Sequence, residues 1–345
     1  MSLPVASPQL IVDTGAIAAN WRTFAAACGP AATGAAIKAD GYGLGGRVVL
    51  SALAGAGCRD MFVASWAEVA ALGALPDGVR VAVLHGVTPG EMAAALVLPA
   101  RPVLVTADQV AAWRQTRRPC DVMVDTGMNR LGLSPADALS GLLDGLDVET
   151  LHSQLACAET PAHSMNAAQL QEFAFIGGQV RARRLALANS AGIGLGAAYH
   201  FGLTRPGIGL YGGGEAPGGG RLTPVLAITA PILQVRGLVA GASVGYGANF
   251  VAQHPMRVAV VALGYADGYP RGASHAGWGQ IDGKRVPAIG RVSMDLMTFD
   301  VTSVRCREGD RVEVEFDLPA LAAASGRSQY ELLTGLGRRY ARSYR

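Results

Sequence analysis

The chain has 345 residues, of which 50% are hydrophobic, and its formal net charge at pH 7 is only +3. A chain of this length and apolar content can bury a large core and is long enough for about two domains. The small net charge and the dispersed arginines argue against a nucleic-acid partner, because nucleic-acid-binding proteins concentrate basic residues in patches. The five cysteines have neither a disulfide framework nor a metal-ligand spacing, so we predict no metal site.

No stretch of the sequence predicts a membrane-spanning or secretory segment. The longest apolar runs, such as residues 79–84, are far shorter than the roughly 20 residues that a transmembrane helix needs. The first ten residues lack the basic, apolar and small-residue succession of a signal peptide. We therefore expect a cytoplasmic protein with no membrane partner.

Short apolar runs alternate with alanine-rich, helix-like stretches through the first 210 residues. Eight runs are predicted to be strands, at residues 35–37, 61–63, 81–84, 103–105, 122–124, 150–151, 185–188 and 207–210. Helical stretches such as residues 67–75 and 135–146 lie between them. Eight strands alternating with helices fit an α/β fold of the (β/α)8 TIM type, whose active site lies at the carboxyl ends of the strands. An open doubly wound sheet would show the same alternation, so periodicity alone leaves both architectures open.

The sequence changes character after Tyr211. Residues 212–220 read GGGEAPGGG, which is typical of a flexible connection. Five later runs, at residues 228–239, 257–263, 285–289, 296–301 and 311–316, are separated by Gly, Asp and Pro turns and predict a mainly β domain. Residues 325–336 are predicted to be helical. We therefore predict a barrel over residues 1–222 and a C-terminal β domain over residues 223–345.

A lysine stands where the first predicted barrel strand ends, in the stretch AAIKADGYGLG at residues 35–45. The glycines after Lys38 let the backbone approach a ligand closely. A lysine that apolar neighbours partly desolvate has a lowered pKa and can attack a carbonyl group to form an imine. A surface lysine before a glycine turn would leave the same pattern, and this segment alone favours neither interpretation.

Three further segments at strand ends suit an anionic ligand. Arg130 closes the segment VDTGMNR and supplies a fixed cation suited to a carboxylate. Ser190 and the backbone N–H groups of Gly207 and Ile208 are the components of a phosphate cradle. In a TIM barrel a phosphate commonly lies near the last two strands, where we place these groups. Each segment alone also fits an ordinary turn, but the combination favours a site.

Seven motifs together carry a family resemblance. They are KADGYG (38–43), VDTGMNR (124–130), NSAG (189–192), RPGIGLYG (205–212), VGYGA (244–248), GYADGYPR (264–271) and GRVSMD (290–295). With these motifs in this order, from the first strand at residues 11–13 to residues 333–336, the chain resembles alanine racemase, an isomerase of fold type III. The resemblance implies a (β/α)8 barrel with a β domain, pyridoxal 5'-phosphate as cofactor, and an obligate homodimer with shared active sites.

The resemblance assigns a set of residues to the cofactor. Lys38 matches the lysine that holds the cofactor as an imine, and Arg205 matches the arginine that faces the pyridine nitrogen. The positions that match groups around the cofactor phosphate are Tyr42, Ser190, Gly207 and Ile208. An arginine at the pyridine nitrogen discourages protonation of the ring. The resulting weaker electron sink should favour prompt reprotonation over transamination or decarboxylation.

The resemblance also assigns residues to the substrate. Tyr246 matches a second catalytic base that the partner subunit supplies, Arg130 lies beside the substrate carboxylate, and Tyr265 and Met294 lie at the substrate entrance and carboxylate end. Racemisation removes a proton from one face of Cα and delivers one to the other, so it calls for two bases. By the resemblance, Lys38 serves D-alanine and Tyr246 serves L-alanine, on opposite faces of the imine.

The chain departs from the family at two positions. Met123 stands where the family commonly has a carbamylated lysine that braces the arginine matching Arg130, so we expect an anion such as chloride or another side chain to brace it. Gln154 stands where a histidine usually links the catalytic tyrosine to the arginine matching Arg205. Glutamine forms hydrogen bonds but carries no charge, so we expect activity to rise at more alkaline pH than in relatives with histidine.

Several functions remain open at this stage. A racemase of broader specificity, for example one that also accepts serine, fits the two departures as well as a racemase specific for alanine. A fold type III decarboxylase or aldolase is a second enzyme class, although such enzymes lack the Tyr246 pattern and the ring-facing arginine. A pyridoxal-phosphate carrier without activity would need no β domain. Synthesis of D-alanine for cell walls and its breakdown fit the resemblance equally.

Overall fold

The computed structural model describes residues 7–345, and the chain divides into two compact units. Gly15–Thr223 form the first, here called the barrel unit, and Pro224–Arg345 together with the described residues up to Thr14 form the second, the β unit. Strand β1 (Gln9–Val12) pairs only with strands of the β unit. The sequence prediction assigned this segment to the barrel, because a pairing with strands more than 200 residues away leaves no local signal.

The barrel unit is built on parallel strands. They are β2 (Ala32–Thr33), β3 (Ala35–Ala36), β4 (Asp60–Val63), β5 (Arg80–Val83), β6 (Arg101–Leu104), β7 (Cys120–Met123), β8 (Val148–His152), β9 (Arg184–Ala186) and β10 (Leu203–Thr204). Strands β3 to β9 form one parallel sheet in chain order, and β10 pairs in parallel with β2. The backbone N–H of Arg205 donates to Ala188 O at 2.8 Å, beyond the end of β9, and Gly34 N–H donates to Thr204 O at 2.9 Å between β2 and β3. The sheet therefore closes on itself, which confirms the predicted (β/α)8 fold.

The eighth barrel strand lies before the position predicted for it. We predicted a strand at residues 207–210, but Ile208–Tyr211 forms a 3-10 turn and the strand is β10. All four residues of the turn are buried. A short apolar run does not distinguish a buried strand from a buried turn, so this prediction was wrong.

Helices surround the barrel strands. They are Thr14–Cys28, Gly46–Ala56, Trp66–Leu72, Met92–Val97, Ala107–Arg114, Pro135–Leu139, Ser164–Gln179 and Ser190–Ile193. Ser65, Thr106 and Ser134 each accept a backbone N–H at the start of their helix, which satisfies donors that have no partner within the helix. The helices that we predicted at residues 67–75 and 135–146 are shorter than expected.

The barrel contains an apolar cluster and two buried carboxylates that are paired with arginines. The buried members of the cluster are Phe62, Ala82, Val103, Val105, Met123, Ala186 and Leu203. Asp60 accepts hydrogen bonds from both Arg80 and Arg184. Asp121 accepts from Arg101 Nε at 2.7 Å and lies 3.1 Å from His152 Nε2. Each buried carboxylate is thus paired, as burial of a charge requires.

The β unit contains a mixed eight-stranded sheet that curls back on itself and a separate two-stranded sheet. Its further strands are β11 (Leu226–Leu238), β12 (Ser243–Val244), β13 (Phe250–Val251), β14 (Met256–Val261), β15 (Trp278–Ile281), β16 (Lys284–Ile289), β17 (Met297–Asp300), β18 (Arg311–Val314) and β19 (Ala341–Tyr344). The long strand β11 pairs with β18 and β1 through its first half and with β14 through its second half. The predicted C-terminal β fold is confirmed, whereas β12, β13, β15 and β19 were not predicted. The helix expected at residues 325–336 is the shorter helix Gln329–Thr334, and the helix Leu318–Ser325 before it was not predicted.

Two kinds of feature are absent from the part of the chain that the structure describes. No helix among residues 7–345 is long and apolar enough to cross a membrane. The same residues contain no group of three or more His, Cys, Asp and Glu side chains placed to hold a metal ion.

Candidate active site

Lys38 begins a left-handed turn at the end of the first barrel strand. The φ angles that follow are 53° at Ala39, 55° at Asp40, 63° at Gly41 and 56° at Tyr42. Left-handed backbone costs a residue with a side chain about 1 kcal/mol, and three of these four residues are not glycine. Contacts around the turn must therefore stabilise it, and the turn fixes the direction in which the lysine leaves the backbone.

The Lys38 amine lies in a positively charged environment. Burial lowers its pKa most, the positive charges of Arg130 and Arg205 lower it further, and Glu68 opposes them. The structure thus brings three charged groups that the sequence predicted, Lys38, Arg130 and Arg205, within electrostatic reach of a fourth, Glu68, which the sequence analysis did not single out. A lysine with a lowered pKa is more often a neutral amine, which is the nucleophilic form.

Lys38 is one of only two lysines in the chain, the other being Lys284. Lys284 is exposed at the start of β16 in the β unit. Any imine at a lysine side chain of the barrel unit is therefore formed at Lys38.

Arg205 is buried, with 7% of its surface exposed. Its Nη2 donates to the backbone oxygens of Ser153 and Leu187 and, at 3.4 Å, to Gln154 Oε1. Burial lowers the pKa of the guanidinium to about 10, so it remains charged at neutral pH. Its Nε is buried and has no hydrogen-bond partner within residues 7–345. A buried N–H normally has an acceptor, so a ligand atom that accepts a hydrogen bond would complete this site.

Ser190, Gly207 and Tyr42 assemble a small polar cradle. Ser190 Oγ accepts the backbone N–H of Gly207 at 2.8 Å and that of Gly209 at 3.2 Å. A Cβ added at Gly207 would collide with the Tyr42 hydroxyl, so glycine is required where these groups meet. The Tyr42 ring stacks on Tyr211 with the centroids 4.5 Å apart. The structure therefore places three of the predicted phosphate residues together, and Ile208 follows Gly207 directly.

Arg130 lies in the loop after β7. The Asp125 carboxylate accepts the backbone N–H groups of Gly127 at 2.8 Å and Arg130 at 3.0 Å, which fixes the loop. Within residues 7–345 the Arg130 guanidinium forms no hydrogen bond or ion pair, and Met123 packs in the apolar cluster. The expectation that an anion such as chloride or another side chain braces Arg130 therefore stays a prediction.

Gln169 is a site residue that the sequence analysis missed. It is fully buried, and its Nε2 donates to Gln154 O at 2.9 Å and Thr126 Oγ1 at 3.3 Å. The Thr126 hydroxyl is 2.7 Å from the hydroxyl of Ser153, whose backbone oxygen accepts from Arg205. Gln169 thus connects the loop of Arg130 with the loop against which Arg205 rests. A single glutamine within a helix gives no sequence signal for such a role.

The remaining predicted residues lie in the β unit and are exposed. The exposed fractions are 70% for Tyr246, 40% for Tyr265 and 54% for Met294. The backbone N–H of Tyr265 donates to Ser293 O, and that of Ala266 to Met294 O, both at 3.0 Å. The loops that carry Tyr265 and Met294 are therefore joined edge to edge.

Arg339, whose side chain is 46% exposed, connects these two loops at the surface of the β unit. It donates to both carboxylate oxygens of Asp267 at 2.8 Å and to Asp295 at 2.6 Å. These bonds raise the pKa of Arg339. Asn249, which follows the Tyr246 turn, accepts from Arg291 Nε at 2.8 Å in the amide orientation that satisfies both groups. The three predicted residues are thus carried by connected loops.

Comparisons with known proteins show the family to which the chain is similar. The family model described as "Alanine racemase, N-terminal domain" matches residues 12–215, and "Alanine racemase, C-terminal domain" matches residues 225–344. An alanine racemase of Acidiphilium cryptum is 42% identical over 350 residues, which cover 97% of this chain and 98% of that protein. A catabolic alanine racemase of Agrobacterium fabrum is 40% identical over 358 residues, which cover 98% of this chain and 92% of that protein.

A solved structure extends the agreement to the fold. It is described as alanine racemase from Bartonella henselae with covalently bound pyridoxal phosphate. This chain matches it with a TM-score of 0.89 and 33% identity, over 99% of this chain and 100% of that one. The resemblance drawn from the seven motifs is confirmed: the chain belongs to the alanine racemase family.

Proposed function

We propose that this protein is a pyridoxal-phosphate-dependent racemase that interconverts L-alanine and D-alanine with two bases, Lys38 and Tyr246. The observation that carries the proposal is the Lys38 amine, partly buried and within electrostatic reach of Arg130 and Arg205. A family relative with covalently bound pyridoxal phosphate supports the choice of cofactor.

The barrel residues fit this cofactor. The buried Arg205 Nε without a partner suits the lone pair of an unprotonated pyridine nitrogen. Ser190, Gly207, Ile208 and Tyr42 would hold the phosphate, since the Ser190 oxygen already organises the glycine-rich backbone there. Lys38 would hold the cofactor covalently. When bound, the cofactor supplies an electron sink that acidifies the Cα proton of an attached amino acid.

Lys38 and Tyr246 would move the Cα proton on opposite faces of the substrate. The lowered pKa of Lys38 keeps part of the population as a neutral amine that accepts a proton at Nζ. Arg205 stays charged and makes ring protonation unfavourable, which favours racemisation over decarboxylation. Arg130, with no side-chain partner in the described chain, is available to a substrate carboxylate. Tyr265 and Met294 would line the way in.

We propose a homodimer in which each β unit supplies Tyr246 to the barrel of the partner copy. The exposure of Tyr246, Tyr265 and Met294 supports this arrangement, because three neighbouring loops present large side chains to solvent without covering them. We further propose a cytoplasmic location. Cell fractionation tests the location, and recovery of the protein in a membrane or extracellular fraction would refute it.

A racemisation assay tests the proposed function. Pure L-alanine should lose its optical rotation in the presence of the protein, and L-serine and larger amino acids in the same panel define the substrate range. Lys38→Ala should lose both the visible imine absorbance and activity. Tyr246→Phe should keep the absorbance and lose racemisation of L-alanine by a factor of roughly a thousand or more.

Three outcomes would contradict the proposal. Carbon dioxide release without racemisation would indicate a decarboxylase, and imine absorbance without any turnover would indicate a carrier. Full activity of Tyr246→Phe would remove the second base. Each outcome is distinguished from misfolding by the retained absorbance, which requires an intact barrel.

A further inference from the structure

We propose that Glu68 is a positioning residue for Lys38, because its carboxylate holds the strained turn that begins at the lysine. The inference rests on the proposed function, since it concerns the residue that would hold the cofactor. Glu68 belongs to the helix Trp66–Leu72, which follows the second barrel strand, and not to any of the motifs that identify the family.

Both oxygens of Glu68 bind backbone N–H groups. Oε1 accepts from Ala39 at 2.6 Å, and Oε2 accepts from Ala64 at 2.6 Å. Ala39 directly follows Lys38, whereas Ala64 directly follows β4. One carboxylate therefore ties the ends of two neighbouring strands together. Charge-assisted bonds of this length are among the stronger hydrogen bonds in proteins.

The strained turn needs this contact. Ala39 has a φ of 53°, and alanine gains nothing from its own side chain in that conformation. The far end of the turn is held separately, since Asp40 Oδ1 accepts the Gly46 N–H at 2.7 Å. Without Glu68 the end that carries Lys38 would lose its charged partner, and the turn could relax towards ordinary backbone angles.

Two other glutamates show what an ordinary helix cap does in this chain. Glu91 and Glu331 each accept a backbone N–H and a hydroxyl hydrogen from the residue three positions before them, Thr88 and Ser328. Each of these contacts joins two residues at the start of the same helix. Glu68 instead accepts with one oxygen from the end of a different strand, next to Lys38, the only lysine of the barrel unit, so its role exceeds capping.

Glu68 also supplies negative charge to the site. The charged groups that act on the Lys38 amine are Arg130, Arg205 and Glu68, and only Glu68 favours the protonated form. Asp40 is occupied by the Gly46 N–H. Removal of the carboxylate should therefore make a protonated nitrogen at Lys38 less favourable, and its titration should move to lower pH.

The experiment compares Glu68→Gln and Glu68→Ala in the holoenzyme. Glu68→Gln keeps one accepting oxygen, whereas Glu68→Ala removes both, and each variant removes the charge. We expect the pH midpoint of the imine absorbance to fall by about half a unit in both variants. We expect kcat to fall roughly tenfold in Glu68→Gln and roughly a hundredfold in Glu68→Ala, with a smaller change in KM.

Glu91→Gln is the matched control, because it weakens an equivalent cap far along the chain from the turn. It should lower the melting temperature at most and leave the midpoint and kcat unchanged. If both Glu68 variants melt earlier but keep the wild-type midpoint and kcat, Glu68 is a helix cap and the inference is wrong.

A second readout needs no cofactor. In the apoprotein, the pH dependence of amine labelling at Lys38 is followed by mass spectrometry, with exposed Lys284 as the internal reference. Glu68→Gln should shift the Lys38 curve to lower pH and leave the Lys284 curve in place, and an unshifted Lys38 curve would refute the charge role. A wild-type protein that never forms an imine would instead refute the proposed function, which the labelling experiment does not assume.

Discussion

The two units present their candidate catalytic groups in contrasting ways. In the barrel unit, Lys38 and Arg205 are partly or fully buried, their pKa values are lowered by burial, and hydrogen bonds from neighbouring loops fix their surroundings. In the β unit, Tyr246 is 70% exposed and stands on a surface turn. The barrel groups therefore have their surroundings within one chain, whereas the proposal of a shared site requires the exposed tyrosine to be covered by a partner copy.

The largest effect should come from mixing two inactive variants. Lys38→Ala and Tyr246→Phe each lack one base, but a mixed dimer with shared sites contains one intact Lys38 and Tyr246 pair. Coexpression in equal amounts should restore about a quarter of the wild-type activity, because about half of the dimers are mixed and one of their two sites is intact. The measurement is the racemisation rate of the purified mixture. No recovery, with mixed dimers shown by mass, would mean that each site uses residues of a single chain.

Gln169→Leu tests whether the barrel site is as tightly organised as its hydrogen bonds suggest. The change removes the bonds to Thr126 and Gln154 at similar volume, and we expect kcat to fall roughly tenfold to a hundredfold. The free energy of unfolding should decrease by about 1–3 kcal/mol, because buried polar groups lose their partner. Gln171→Leu, at an exposed position of the same helix, is the control for denaturant and kinetic measurements. Equal kcat values in the two variants would show that Gln169 has only a structural role.

Arg339→Met tests the organisation of the β unit. The variant leaves the buried Asp267 without its cation, so the free energy of unfolding should fall by about 1–3 kcal/mol. The loops of Tyr265 and Met294 should loosen, and KM for alanine should rise a few-fold with little loss of the imine absorbance. Arg338→Met, next to it and exposed, should change neither quantity. An unchanged KM would show that the bonds from Arg339 to Asp267 and Asp295 do not affect the substrate entrance.

His152 makes the stability of the barrel unit depend on pH. Burial lowers the pKa of His152 to about 4, below the value of about 6.5 for an unfolded chain. The unfolded state then binds the proton more readily, so stability rises with pH between about 4 and 6.5. His152→Gln should flatten this dependence in urea unfolding curves, whereas His254→Gln, at an exposed site, should not. A wild-type curve that is flat over this range would contradict the prediction.

The smallest effect is expected at Gln154, which contacts Arg205 but carries no charge. Gln154→His should move the alkaline rise of the racemisation rate to lower pH by about half a unit. The pH dependence of kcat/KM measures the shift. An unchanged profile would mean that Gln154 does not influence the second base.

The barrel site residues could be proposed from local motifs because each motif lies near the end of a predicted strand. Lys38, Ser190 and Arg205 were placed from a few neighbouring letters each. The eighth strand was misplaced because Ile208–Tyr211 is as apolar as a strand but turns. Segment β1 was assigned to the wrong unit because its partners lie far along the chain.

The residues that sequence reasoning missed share a physical property. Glu68 and Gln169 bind backbone N–H and C=O groups of distant segments. Because nearly every residue has these groups, the sequence does not indicate which of them a side chain will bind. In the sequence, Glu68 has the position of a helix cap and Gln169 that of an ordinary helix residue. Only the folded chain shows which loop each of them holds.

The scarcity of lysine has a practical consequence for handling the protein. Once Lys38 is occupied by a cofactor, Lys284 is the only side-chain amine left for acylating reagents, and it lies on the β unit at the start of β16. A dye, a biotin or a solid support can therefore be attached at one defined point besides the chain terminus, without protecting groups and without touching the barrel.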